Sequence, residues 1–325
     1  MKAVLCKSLE GIDALEYEDI EPPVAGPREV VIKVATAALN FFDTLITRGA
    51  YQFKPRLPFS PSGEICGTVL SCAPDVTDFA PGTRVMACIG WGGAREQVAV
   101  SIDQLIRVPE GVSSEVAACL SITYGTAMHG LLDRGRLRAG ESIAILGAAG
   151  GAGLAAIEIS KLLGARVIAV ASTEEKLKAC RAAGADDVFD YTSGDLKTGL
   201  KDLTGGRGVD VVYDCVGGEQ SEPALRAMAW QGRFLVVGFA SGSIAKLPLN
   251  LLLIKGCSAI GVFWGEAMKR DPAGHKANMM KLLDWVKEER LKPLIDQRFP
   301  LPKAREALQV IAQRKAKGKI VLTVG

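Results

Sequence analysis

The stretch with the clearest chemical capacity is Ile143-Ala144-Ile145-Leu146-Gly147-Ala148-Ala149-Gly150-Gly151-Ala152-Gly153-Leu154-Ala155-Ala156, an apolar run that becomes a glycine cluster and then a helical pattern. It reads as strand, tight turn and helix. In such a unit Gly150 removes the Cβ where a pyrophosphate must approach the backbone, and Gly153 lets the helix pack on the strand. The helix N-terminus, with Ala149, Gly151 and Ala152 around it, offers unpaired N–H groups and roughly half a positive charge, which suits a phosphate. The spacing is A-x-G-x-x-G with Ala148 in the first glycine place, so the context must carry the reading. Arg166 to Ala171 is a second buried-strand run reached across one helix, which puts the loop inside a βαβ unit. The competing reading is a glycine-rich packing turn without a ligand.

A loop of this kind needs a sheet to hold it, and the rest of the chain supplies one. At 325 residues the chain exceeds one compact core and implies two domains. With 48% hydrophobic and 23% charged residues it is globular. The net charge is only +3, and the small groupings at Arg134, Arg136, Arg138 and at Arg314, Lys315, Lys317, Lys319 read as solvated helix faces, which argues against nucleic acid. Met1 to Cys6 lacks a long apolar segment behind it, and Leu247 to Ile254 is far below membrane-spanning length, so a soluble cytoplasmic protein is expected. The eight cysteines stand singly with no C-x-x-C pair, which predicts reduced thiols.

Residues 1 to about 122 read as short strands (Val30 to Val34, Gly67 to Ser71, Arg84 to Cys88, Glu96 to Val100) punctuated by prolines, an irregular β domain. From Ala139-Gly140 the rhythm changes. Val188 to Asp190, Val209 to Asp214 and Gly232 to Val237 continue an alternation of buried strands and helices, which implies a parallel sheet covered on both faces. Ser258 to Val262 and Ile320 to Val324 are further strands, with amphipathic helices at Ala277 to Arg290 and Lys303 to Arg314.

Ala38-Leu39-Asn40-Phe41-Phe42-Asp43, the glycine loop and Gly318-Lys319-Ile320-Val321-Leu322 occur in order, and over essentially its whole length the chain resembles the medium-chain dehydrogenase/reductases, in particular their zinc-free quinone oxidoreductase (zeta-crystallin-like) branch. The resemblance implies an α/β protein in which a Rossmann doubly wound parallel sheet domain, residues 123–263, is inserted into a GroES-like irregular β-barrel domain, residues 1–122 and 264–325, with cofactor and substrate in the cleft between them. It also implies a homodimer joined through the Rossmann sheet edge at Ser258 to Val262.

Zinc enzymes of this superfamily carry a cysteine where this chain has Asn40 and a histidine where it has Gly63. A catalytic zinc normally takes three Cys, His, Asp or Glu ligands, and the chain has two histidines in all, His129 and His275. No metal is expected. Alcohol oxidation then lacks its Lewis acid, whereas a quinone or enone accepts hydride at carbon and spreads the charge onto a carbonyl oxygen, for which hydrogen-bond donors suffice.

Cofactor choice is read at the end of the second Rossmann strand, where NAD-selective sheets place Asp or Glu about 20 residues after the glycines. This chain has Ala171-Ser172-Thr173 and then Glu174-Glu175-Lys176, so Ser172 and Lys176 are free to donate to a 2′-phosphate and NADPH is expected. Glu174 and Glu175 either turn back toward a ribose or complement the helix dipole. The resemblance adds Thr126 beside the nicotinamide, Tyr191 and Lys319 at cofactor phosphates, and Gly218 at the ribose. Gly238-Phe239-Ala240 and Val262-Phe263-Trp264 end the last two strands beside the nicotinamide, as substrate wall or as packing. In the β domain Asn40 and Tyr51 are the catalytic candidates and also touch cofactor, while Asp43 either joins them or braces the loop. The expected activity is NADPH-dependent reduction of quinones or activated carbon–carbon double bonds. The alternatives are an enoyl-thioester reductase and, from another class, a non-enzymatic NADPH- or RNA-binding crystallin-like protein.

Overall fold

Two hydrophobic rhythms along the chain produce two kinds of sheet. The computed structural model describes residues 1–325. From the N-terminus run β1 (Lys2–Cys6), β2 (Leu15–Asp19), β3 (Glu29–Leu39), the short helix α1 (Phe41–Ile46), β4 (Glu64–Cys72), β5 (Arg84–Cys88), β6 (Gln97–Ser101), β7 (Leu105–Arg107) and α2 (Ser114–Cys119). After α3 (Gly125–Met128) the alternation begins: β8 (Ser142–Leu146), α4 (Gly151–Leu162), β9 (Arg166–Ala171), α5 (Glu174–Ala182), β10 (Asp187–Asp190), α6 (Leu196–Leu203), β11 (Val209–Asp214), α7 (Ser221–Arg226), β12 (Met228–Val236), α8 (Leu249–Lys255) and β13 (Ser258–Gly261). The chain ends with α9 (Trp264–Arg270), α10 (Pro272–Lys287), β14 (Ile295–Pro300), α11 (Ala304–Ala312) and β15 (Lys319–Thr323).

Contacts group these elements into two units, residues 1–122, 279–289 and 293–325 in one and residues 123–278 with 290–292 in the other. The first is the GroES-like β domain. Its seven-stranded sheet follows the path β14-β15-β3-β4-β5-β7, with β6 also paired to β3, and every pairing except β14–β15 is antiparallel. Val30, Ile32 and Val34 of β3 join Leu39, Ile65, Val85 and Leu322 in one buried core.

The second unit is the Rossmann domain, with a parallel six-stranded sheet in the order β10-β9-β8-β11-β12-β13. Its central strands are buried on both faces; all five residues of β8 are inaccessible. Residues 264–278, expected with the β domain, group here instead, and the reason is packing. The Trp264 indole lies so close to Gly125 that a Cβ there would come within 2.8 Å of it, and it meets the His275 ring edge-on at 5.5 Å. Residues 290–292 follow because the Lys292 N–H donates to the Glu158 carboxylate of α4 at 2.8 Å.

Candidate active site

Apart from Thr126, which lies in α3 ahead of β8, the cofactor positions expected in the Rossmann unit follow the C-terminal ends of the parallel strands, where ligands of doubly wound sheets bind. The loop after β8 turns at Gly147, whose φ is +71°. Ala148, expected in the turn-forming place, is instead buried with its N–H donating to Val170 O at 3.2 Å. Gly150 caps α4 in an extended conformation, and a Cβ there would meet only Gly147 O at 3.5 Å, which leaves the approach open. At Gly153 a Cβ would stand 2.4 Å from Gly147 O and 2.5 Å from Ala148 O, so the helix touches the loop backbone there. Ala149 is buried beneath this turn, and Gly151 and Ala152 begin α4 with the free N–H groups of a helix start. The cradle fits a pyrophosphate.

At the end of β9, Lys176 reaches Ser172 with Nζ 3.4 Å from Oγ, while Thr173 caps α5 by accepting the Lys176 N–H. Glu174 and Glu175 stand in the first turn of α5, and Glu174 pairs with Arg181 at 2.8 Å. Tyr191 follows β10 directly, and its N–H donates to Ala171 O at 3.2 Å, so it lies beside the Ser172 turn. The loops after β11 and β12 are laced together: Ala240 N–H donates to Cys215 O at 3.2 Å and Ser241 N–H to Val216 O at 2.9 Å. Gly218 has φ +68°, and a Cβ there would press on Ser241 Oγ. Gly238 is half-buried beside Cys215 O, whereas Phe239 and Phe263 are substantially exposed. Val262 is buried against Gly130, and Trp264 is committed to Gly125 and His275. Thr126 lies inside α3, in its first turn after Gly125.

Sequence reasoning misses Asp214, the last residue of β11. Its buried carboxylate accepts from Val216 N–H (2.8 Å), Gly217 N–H (2.9 Å) and the Ser221 hydroxyl (2.6 Å) and so shapes the Gly217-Gly218 turn. An acid after an apolar strand, followed by two glycines, is the signal that could have found it.

The β domain holds a different kind of site. Asn40 follows β3 and caps α1 in extended conformation. Its backbone N–H donates to Asp43 Oδ2 at 2.8 Å, and Asp43 Oδ1 accepts from Ser62 N–H at 2.8 Å, so Asp43 braces the loop. Full burial pushes the Asp43 carboxyl up to about 7, against the pull of those two bonds and of the Lys319 charge. The Asn40 amide donates to Glu64 Oε1 (2.9 Å), and Lys319 Nζ donates both to Asn40 Oδ1 (2.6 Å) and to Glu64 Oε1 (2.6 Å). Lys319, expected at a cofactor phosphate, is therefore a buried cation whose counter-ion is Glu64, with side-chain exposures of 3% and 0%. Tyr51 sits half-buried in the following loop, edge-on to Phe42 at 5.1 Å and 6.0 Å from Phe53. Burial pushes its phenol further above the ordinary value, so it is a neutral donor at physiological pH.

The zinc donor set is missing for structural reasons as well as chemical ones. A Cβ at Gly63 would stand 2.6 Å from Gly90 O and 3.3 Å from the Phe42 ring, so no histidine fits without moving backbone. Asn40 presents its oxygen to an ammonium.

Fold and site together define a nicotinamide-dinucleotide oxidoreductase of the medium-chain type. Residues 26–110 match the family model described as alcohol dehydrogenase GroES-like domain, and residues 151–287 match the one described as zinc-binding dehydrogenase. The chain is 38% identical over 324 residues to quinone oxidoreductase-like protein 2 of Rattus norvegicus, covering 99% of this chain and 92% of that one. It is 33% identical to a quinone oxidoreductase of Pseudomonas aeruginosa, with 96% of each covered. Among solved structures, a mycobacterial protein in complex with NADPH superimposes with TM-score 0.92 at 30% identity over 100% of both chains. The quinone oxidoreductase of Thermus thermophilus, solved alone and with NADPH, gives 0.87 at 32% over 100% of both. The chain belongs to the quinone oxidoreductase branch of the medium-chain dehydrogenase/reductase family, and it is an NAD(P)H-dependent oxidoreductase.

Proposed function

We propose that the chain reduces quinones or activated carbon–carbon double bonds by direct hydride transfer from NADPH, without a metal. The observation that carries this reading is the Asn40–Glu64–Lys319 cluster, at the position where the family resemblance puts a zinc ligand in the zinc enzymes. One amide, one ammonium and a carboxylate already paired with that ammonium supply no Lewis acid but do offer hydrogen bonds, which is what an acceptor already polarised by its own carbonyl requires. A bound nicotinamide supplies the hydride; the chain's part is to hold and orient. The glycine loop and the α4 N-terminus would hold the pyrophosphate, and Ser172, Lys176 and Tyr191 the adenosine end with its 2′-phosphate. Thr126, Gly218, Gly238 to Ala240 and Val262 to Trp264 would border the nicotinamide half. Asn40 and Tyr51 would donate to the developing oxyanion or to the carboxamide.

The edge strand β13 is unpaired on its outer side, and Trp230, Leu249, Leu253 and Ile254 expose apolar surface in the same unit, Leu253 at 80% and Trp230 at 69%; this supports a homodimer joined there. All eight cysteines are free thiols, which supports a reducing, cytoplasmic setting, and no helix is long and apolar enough to cross a membrane.

A single NADPH-oxidation panel with ortho- and para-quinones, short enones and enoyl-CoA tests the activity. Turnover with quinones or enones, and slower turnover with NADH, is expected. Preference for enoyl-CoA would transfer the reading to thioester reduction, and no turnover with any acceptor would overturn it.

A further inference from the structure

Three neighbouring strands bring Lys319, Asn40 and Glu64 to one end of the β-domain sheet. In β15 against β3, Ile320 lies opposite Leu39, which sets Lys319 beside Asn40; in β3 against β4, Ala38 lies opposite Glu64. Asn40 and Glu64 are 279 and 255 residues from Lys319 along the chain, yet all three side chains are buried and mutually bonded.

This arrangement removes the usual ambiguity of an asparagine side chain, whose carbonyl and amino ends have nearly the same shape. An ammonium carries donors only and a carboxylate acceptors only. Lys319 therefore demands the Asn40 oxygen, and Glu64 demands its NH2. The flipped amide would set NH2 against the ammonium and oxygen against the carboxylate, two repulsive contacts in a buried place. Glu64 is itself fixed, because its second oxygen accepts the Ile122 N–H at 2.7 Å. Glu64 uses one of the two Asn40 amide hydrogens, and the other remains to be offered.

We propose that Lys319 and Glu64 are positioning residues that lock the Asn40 side chain in its donor orientation, so that the amide can present only an N–H to the acceptor oxygen or the nicotinamide carboxamide. The inference rests on the donor role proposed above for Asn40. It gives the buried lysine a task that its resemblance-based assignment to a cofactor phosphate does not, and it explains why a cation and an anion are sequestered together beside an uncharged amide.

The test is a cycle among Asn40→Ala, the paired change Lys319→Met with Glu64→Gln, and the combination of all three, with Lys319→Arg alongside. The paired change removes both charges together, so neither is left buried alone. Turnover, acceptor KM, NADPH affinity by fluorescence and melting temperature are measured for each. The pair should lower kcat roughly tenfold or more while NADPH affinity stays within about twofold, and in the Asn40→Ala background it should lower kcat by no more than about twofold. Lys319→Arg, which again offers only donors, should keep more turnover than the paired change. A full loss repeated in the Asn40→Ala background would overturn the inference, since the pair would then act without Asn40. So would a roughly tenfold loss of NADPH affinity with kcat held, which marks a phosphate contact. Wild-type turnover in Asn40→Ala, whose charged pair is intact, would take down the donor reading and this inference with it.

Discussion

The dinucleotide cradle of the Rossmann unit and the Asn40 cluster of the β domain are built from opposite materials. The cradle is backbone: Gly147 turns, Gly150 leaves room, and Gly153 lets α4 touch the loop, with no side chain taking part. The cluster is side chain: three polar groups at one end of three neighbouring strands, bonded to one another and to the Ile122 N–H. A backbone site is specified by residues within one turn of each other, so its parts cannot drift apart. A side-chain site depends on strand register, and a slip of one residue would turn each of its members to the other face.

The largest effect expected from this contrast is at Gly153. A methyl group there meets two backbone carbonyl oxygens at 2.4 and 2.5 Å, neither of which can rotate away. Gly153→Ala should therefore cost about 3 kcal/mol or more of stability and abolish dinucleotide binding. Gly150→Ala meets nothing closer than 3.5 Å, and should melt normally while losing NADPH affinity. Thermal denaturation beside a fluorescence titration separates the two, and a Gly153→Ala protein with wild-type melting would show the close contact to be dispensable.

Next in size are the donors of the side-chain site. A donor used mainly in the transition state contributes about 1.4 to 4 kcal/mol, so Asn40→Ala and Tyr51→Phe should turn over roughly ten to a thousandfold more slowly with NADPH affinity almost unchanged. Steady-state kinetics on the best acceptor decide it. Lowered melting with normal turnover would make both residues loop supports.

This difference in materials also explains which parts can be read from the sequence. The strand runs Ile143 to Leu146 and Arg166 to Ala171, the glycine loop between them and the Ser172–Lys176 pair lie within 34 residues of one another, and the structure places them at adjacent strand ends. The motif spacing puts the turn one position late, because the loop satisfies the φ > 0 requirement at Gly147 and leaves Ala148 to pack. Local sequence points Lys319 outward, since nothing near Gly318 announces that Glu64 lies across the sheet. Residues 264–278 group with the Rossmann unit rather than the β domain because Trp264 docks on Gly125, a tertiary contact that periodicity does not report.

Smaller again is the cofactor preference. A charge-assisted bond contributes about 1.5 to 3 kcal/mol, so Lys176→Ala should weaken NADPH roughly tenfold to a hundredfold and leave NADH nearly untouched. Equal losses for both cofactors would remove Lys176 from the 2′-phosphate and leave the β9 end without a selective contact.

The smallest effect tests whether the side-chain site carries a titrating group that the backbone site lacks. Asp43 is fully buried, and desolvation holds its carboxyl at about 7, above the usual value of 3.8, although Asn40 N–H, Ser62 N–H and the Lys319 charge favour ionisation and Glu64 opposes it. In the range between those two values the folded chain binds more protons at this group than the unfolded chain does, so Asp43 adds stability at acid pH and loses it as the pH rises through about 7. Between about pH 6 and about pH 8 the loss amounts to about 1.4 kcal/mol, which corresponds to roughly 3 °C in melting temperature for a domain of this size. His275 works in the opposite direction: burial lowers its pKa, so it favours the folded state at the higher pH of this window. Comparison with Asp43→Asn isolates the carboxyl. The variant is expected to melt lower at every pH, because an amide places NH2 against one of the two backbone donors, but its curve of melting temperature against pH should lack the downward step. A step of equal size in both proteins would assign the titration elsewhere and show that Asp43 stays ionised, held by its two N–H bonds and by Lys319, in the same electrostatic network that orients Asn40.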